Sequence, residues 1–270
     1  MINFRNIKKI IMFDIKIFIR LTRIDVYFPQ LLLIFPLIFI ISPQKFLSLK
    51  AAVIFLAIFF LTTYAHAIND VEDSDDDYHV LKKRKRNPIS NKDLTKKQGY
   101  VICISLLLTG LFLLLTVSFI VFSLGLTLGL LGFFYSWKPV RLKSIPVADI
   151  ISHAIGLGVL QFSITYLAFR SFDLFFIPFL IIIVPLSLIT EIFHELGDFN
   201  VDKKTKIKNT VQILGIFNTK KLTIILGIIC TVGFLLLFYN IYPNLSIISL
   251  SPLIFFCNMM YIKHLFKSLT

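Results

Sequence analysis

A chain of 270 residues with 57% hydrophobic and only 16% charged residues lies outside the range of soluble globular domains. Its formal net charge of +13 would suit a nucleic-acid partner, but the cations sit in short segments between long apolar runs, which excludes that partner. Three cysteines inside apolar runs, with no CxxC spacing, exclude a disulfide framework and read as small buried hydrophobes.

Residues 2–24 set Phe4, Ile7, Ile10, Ile11, Phe13, Ile17 and Phe18 among Arg5, Lys8, Lys9, Lys16, Arg20 and Arg23. That is the pattern of a basic amphipathic surface helix (domain 1–24), and no cleavable signal peptide is expected. Residues 25–270 read as one polytopic membrane domain. Apolar runs of the length that crosses a hydrocarbon core of roughly 30 Å fall at 25–42, 51–68, 100–118, 120–135, 147–168, 174–193, 221–239 and 246–262. Backbone groups in lipid must bond internally, so these spans are helices. The expected fold is an all-α membrane protein, a bundle of about eight transmembrane helices in two four-helix halves. In each half the second span ends in carboxylates followed by a basic loop, and Asp70 and Asp198 are 128 residues apart.

With the amino terminus inside, 25 of the 28 lysines and arginines fall on one side, leaving Lys45, Lys50 and Arg170 outside. This is the positive-inside pattern. It predicts a plasma-membrane protein with a cytoplasmic amino terminus and cytoplasmic loops at 69–99 and 195–220. The first of these loops holds eight cations between Tyr78 and Gln98. Pro88 stops any helix there, and Ser90-Asn91-Lys92-Asp93 is read as a cap for the turn leading into the third span.

The two acidic clusters carry the chemistry. The first reads Asn69-Asp70-Val71-Glu72-Asp73-Ser74-Asp75-Asp76-Asp77, the second Glu195-Leu196-Gly197-Asp198-Phe199-Asn200-Val201-Asp202. At about 100° per residue, Asn69, Asp70, Asp73 and Asp77 share one helical face, whereas Glu72 and Asp75 point elsewhere. Glu191, Glu195, Asp198 and Asp202 form a matching stripe. Two carboxylates about 6 Å apart repel by roughly 3 kcal/mol at an effective dielectric near 20. A helix carboxyl end, already negative, adds to that cost. Oxygen-only sets of this kind suit Mg²⁺ bridging to substrate phosphates. An EF-hand beginning at Asp73 is rejected, because Tyr78 stands where glycine is needed and Arg84 where the bidentate glutamate belongs. Asp149 and His153, one turn apart in the fifth span, either pair with each other or serve a substrate.

At these residues the chain resembles the UbiA family of intramembrane prenyltransferases. Asn69-Asp70-x-x-Asp73-x-x-x-Asp77 matches the family's NDxxDxxxD motif, and Asp198-x-x-x-Asp202 its DxxxD motif. Tyr135-Ser136 followed by Lys143 resembles the short loop after the fourth helix, and Arg20 to Phe28 the approach to the first. The family usually has nine helices, against eight read here. Arg86-Asn87-Pro88 stands where many members have Asn-Arg-Pro.

The resemblance implies Mg²⁺-dependent transfer of a prenyl group from a polyprenyl diphosphate to a lipophilic acceptor, with membrane lipids around the cavity. Asp70, Asp73 and Asp198 are then the catalytic carboxylates. The metal-binding set is Asn69, Asp70, Asp73, Asp77, Glu195, Asp198 and Asp202, and Arg86, Lys143 and Lys204 are the candidate diphosphate contacts. A terpene cyclase on the same scaffold is the enzyme alternative. A cation transporter is the non-enzyme one, disfavoured because the carboxylates lie at the interface and not at the midplane.

Overall fold

The computed structural model describes residues 15–205 and 208–242, with the side chains of Pro29 and of 200–205 outside the described set. Residues 2–14 of the expected surface helix and the run at 246–262 therefore lie outside the described residues. Among the described residues there are helices and no strands.

The chain begins with three short helices: α1 (Ile15–Thr22), α2 (Ile24–Leu31) and α3 (Ile34–Ile41). The run at 25–42 is thus divided between two helices instead of forming the one continuous helix expected from its hydropathy. Pro36 supplies the reason. It has no N–H to give Leu32, and its ring crowds that carbonyl, four residues back. The Leu32 carbonyl instead accepts from Phe35, at 3.2 Å, in a tighter turn. A second break falls at Arg23, whose φ of 52° is left-handed.

The next helix is α4 (Leu49–Glu72). Ser48 caps its start, its hydroxyl accepting from the Ala51 N–H at 3.2 Å. Ile54, Ile58, Leu61, Tyr64 and Ile68 of α4 are buried. Beyond Asp73 follow the one-turn α5 (Ser74–Asp77) and α6 (Leu81–Arg86). Asn87 turns extended before Pro88, as a residue preceding proline does, and ends α6.

Next come α7 (Lys96–Leu115) and α8 (Phe119–Ser136), both packed on α4. A Cβ at Gly110 would come within 2.9 Å of Leu61, so the lack of a side chain there lets α7 approach α4 closely. The cap of α7 is Thr95, not the predicted Ser90–Asp93 stretch. Thr95 and Gln98 exchange side-chain and backbone bonds in a full capping box. Asp93 is engaged elsewhere, by Arg20 and Asn91. Outward-facing Ile104, Leu108, Phe112, Leu126 and Leu130 are exposed, which is the surface a helix offers to lipid.

The remaining helices are α9 (Ala148–Phe169), with a π-helical centre at Ala154–Leu160, α10 (Phe176–Thr205) and α11 (Thr210–Ile241). The last two pack along each other, and α11 bends at Gly215, where φ is 68°. Among the described residues six helices, α4 and α7 to α11, are long and apolar enough to cross a membrane. They coincide with six of the eight expected spans, and the protein is an integral membrane protein.

Candidate functional site

The first acidic motif ends α4 and fills α5. Asp70 and Asp77 are buried, and so is Glu72. Asp70 Oδ1 accepts from Arg23, which reaches in from the break between α1 and α2, and from Arg86 of α6 at 3.3 Å. Asp77 Oδ2 accepts from Asn87 at 3.0 Å and lies 3.9 Å from Arg86. Asn87 also donates to the Asp70 carbonyl at 2.7 Å, so the loop folds back over the motif. The Arg86-Asn87 order therefore keeps both side chains on the carboxylates.

On the other side of the motif, Lys143 donates to Asn69 Oδ1 and Asp73 Oδ2, each at 2.5 Å. Arg141 joins Asp73 at 3.0 Å and Asp76 at 2.8 Å. Asn69, Asp70, Asp73 and Asp77, the predicted face, thus meet Arg23, Arg86, Asn87, Arg141 and Lys143, and Asp75 and Asp76 meet cations as well. Glu72 turns away to Tyr100, and Asp75 to Lys138 and Lys96 at 3.1 and 3.4 Å. The hydrogen bond from Lys138, with Lys96 beside it, draws the Asp75 carboxyl below its usual range.

Burial shapes the cations too. It pushes the Lys143 ammonium below its ordinary value, although Asp73 opposes the shift. Burial and the nearby Arg23 charge lower Arg86. For Arg23 burial works the same way, but Asp70, Asp77 and Asp73 together overcome it and hold the guanidinium above its ordinary value.

The second motif sits at the end of α10. Lys83 of α6 reaches Asp198 at 3.8 Å, while Arg86 of the same helix reaches Asp70 and Asp77. One turn of α6 thus spans both motifs. Asp198 is exposed, and Glu195 is buried with Oε2 accepting from the Val211 N–H at 3.0 Å. The side chains of Asp202 and Lys204 lie outside the described residues. Asp149 does not pair with His153. It accepts from the Thr210 N–H at 2.7 Å and from the Thr210 hydroxyl, pinning the start of α11. His153 turns to Glu191 of α10, at 3.4 Å.

One buried carboxylate oxygen of the first motif, Asp70 Oδ2, has no hydrogen-bond partner, whereas the Glu195 carboxyl also faces Asp149. A buried carboxylate oxygen without a donor is costly. Such an orphan beside Asn69, Asp73 and Asp77 fits a divalent cation, which supplies the missing positive charge to an all-oxygen set.

Below the motifs lies a cavity of about 590 Å³. Leu31, Ile34, Leu37, Phe162, Ile182 and Leu186 make its wall apolar, and His66 and His153 stand at the end nearest the carboxylates. His66 is one turn before Asp70 on α4 and stacks on Tyr27 at 4.7 Å. Gln161 donates to Thr62 at 2.8 Å inside the cavity. Leu33 and Ile40, both exposed, line it on the side of α3 and the turn before it.

Sequence reasoning did not single out Arg23 or Arg141 as site residues. Position offers a signal for Arg23, the last cation before the first apolar run. Arg141 lies between Tyr135 and Lys143, inside a loop already recognised.

The sequence model of the UbiA prenyltransferase family matches residues 31–268. Among solved structures, a UbiA homolog from Archaeoglobus fulgidus bound to GPP and Mg²⁺ is 24% identical, with a TM-score of 0.75 over 91% of this chain and 86% of that one. The same homolog bound to DMAPP and Mg²⁺ gives 24% and 0.74 over 91% and 85%. A UbiA homolog from Aeropyrum pernix K1 shares the fold at 13% identity and a TM-score of 0.66, over 87% and 90%. No curated protein matches the chain. With nearly the whole chain matched by the family model and a bundle of the same fold, this protein belongs to the UbiA prenyltransferase family.

Proposed function

We propose that the protein transfers a prenyl group from a prenyl diphosphate to a lipophilic acceptor inside the membrane, with Mg²⁺ as cofactor. The observation that carries this reading is the unpartnered, buried Asp70 Oδ2 of the first acidic motif, above an apolar cavity. Solved homologs that hold DMAPP or GPP together with Mg²⁺ support the same substrate class.

Asn69, Asp70, Asp73 and Asp77 would hold Mg²⁺ on one side, and Glu195, Asp198 and Asp202 on the other. When bound, the metal neutralises charge that develops on the departing diphosphate. Arg23, Arg86, Arg141 and Lys143 take the phosphate oxygens that remain, through charge-assisted hydrogen bonds. Lys204 belongs to the same proposal. The carbon–oxygen bond to the diphosphate breaks with its electron pair on oxygen, the allylic carbon bonds to the acceptor, and the acceptor releases a proton. Leu31, Leu37, Phe162 and Leu186 keep water from the cation during that interval. The loops at 69–99 and 195–220 face the cytoplasm in this reading, as their lysines and arginines require.

The test is purified protein in liposomes with Mg²⁺, prenyl diphosphates of graded length and a membrane lipid extract. Pyrophosphate release with a new prenylated lipid is expected. Release with a hydrocarbon product and no acceptor would favour the cyclase. No release at any chain length overturns the proposal.

A further inference from the structure

The acidic motifs offer oxygen alone, but one neighbouring cluster carries nitrogen. His153 on α9, and Glu191 and His194 on α10, present ligand atoms that all lie within 4.8 Å of one another. His153 Nε2 is 3.4 Å from Glu191 Oε2, and His194 Nδ1 is 3.3 Å from the same oxygen. Around a tetrahedral Zn²⁺ with bonds of about 2.0–2.1 Å, neighbouring ligand atoms stand about 3.3 Å apart.

Further features of the cluster point the same way. Glu191 and His194 form a Glu-x-x-His pair, the spacing by which helical bundles present a carboxylate and an imidazole on one inward face. Tyr135 donates to Glu191 Oε1 at 2.8 Å, fixing the carboxylate through the oxygen that faces away from the histidines. An outer partner of this kind orients a metal ligand. His153 borders the π-helical turn Ala154–Leu160, a distortion that recurs at functional sites.

We propose that His153, Glu191 and His194 bind a transition-metal ion of the zinc type, in a site separate from the Mg²⁺ carboxylates. Two imidazoles and a carboxylate select such an ion over Mg²⁺, which prefers oxygen and an octahedral shell. Three protein ligands leave a fourth position open. Because His153 also lines the cavity, that position lies at the cavity's upper end, where water or an oxygen of a bound molecule completes the shell.

The test uses chelator-washed full-length protein in detergent with excess Mg²⁺, titrated with Co²⁺ as a spectroscopic stand-in. One equivalent should bind with the intense visible absorption of a tetrahedral site, and Zn²⁺ should displace it. His194→Asn and Glu191→Gln should each weaken binding at least about tenfold, and Tyr135→Phe by about tenfold. His194 has a side chain 61% exposed, so its replacement leaves folding intact. Absence of the tetrahedral spectrum in the unaltered protein, or a spectrum unchanged by His194→Asn and Glu191→Gln, overturns the proposal. The readout is independent of pyrophosphate release, so failure of the prenyl-transfer reading and failure of this one are told apart.

Discussion

Asp70 and Asp198 stand at matching places in the two motifs, yet their surroundings differ. Asp70 is fully buried between two guanidinium groups, whereas Asp198 is exposed with a lysine 3.8 Å away. Removing one partner of a buried pair leaves an uncompensated charge and costs about 3–5 kcal/mol, while an exposed pair contributes about 0–1 kcal/mol. Asp70→Ala should therefore lower the thermal midpoint in detergent clearly, and Asp198→Ala should leave it nearly unchanged. Pyrophosphate release should fall by about two orders of magnitude in both. Equal melting points would contradict the assignment of Asp70 as the buried anchor. The face that joins Asn69, Asp70, Asp73 and Asp77 was legible, because helical periodicity alone defines it. The cations opposite were legible only in part: Arg86 and Lys143 sit in recognisable motifs, but Arg23 comes from 47 residues upstream, a distance no local pattern crosses.

At the scale of elements, a clamp fastens the start of α9 to the start of α11. Asp149 accepts twice from Thr210, and the Thr210 hydroxyl accepts from the Val147 N–H at 2.6 Å. Val147 has φ of 71°, a strained position for a β-branched residue, and this clamp holds it there. Thr210→Val keeps the shape but removes a donor from the buried Asp149 and an acceptor from Val147. The expected loss is about 1–3 kcal/mol, read as a lower thermal midpoint. An unchanged midpoint would show the clamp to be idle. Sequence spacing puts Asp149 and His153 one turn apart, within reach of a shared bond. Each instead found a partner on another helix, which only tertiary packing decides. The Thr95-Lys96-Lys97-Gln98 box, by contrast, was written in the sequence and fits the capping signature better than Ser90–Asp93 does.

For the molecule as a whole, hydropathy located six spans well, because membrane thickness sets their length. At 25–42 it did not foresee the break between α2 and α3, which Pro36 sets and mean apolarity does not register. The charge asymmetry predicts which end faces the cytoplasm. Single cysteines placed at Asn91 and at Phe172, in a background with Cys103, Cys230 and Cys257 replaced by alanine, should react with an impermeant maleimide on opposite sides of the membrane. Asn91→Cys should be labelled only after the cell is opened, and Phe172→Cys in intact cells. Labelling of both in intact cells would remove the assigned orientation.

The ion pairs of the first motif have a thermodynamic consequence for how the site fills. Asp70 is already matched by Arg23 and Arg86, and Asp73 by Lys143 and Arg141. A metal arriving alone meets those cations, and a diphosphate arriving alone meets those carboxylates. Arriving together, each releases the other's opponent: the carboxylates turn to metal and the cations to phosphate. Binding must then be synergistic, and linkage makes the effect reciprocal. Pyrophosphate should tighten Mg²⁺ binding by roughly 5–150-fold, and Mg²⁺ should tighten pyrophosphate by the same factor. Calorimetry with each component titrated in the presence and absence of the other measures both, and independent affinities would show that the internal pairs persist in the loaded site.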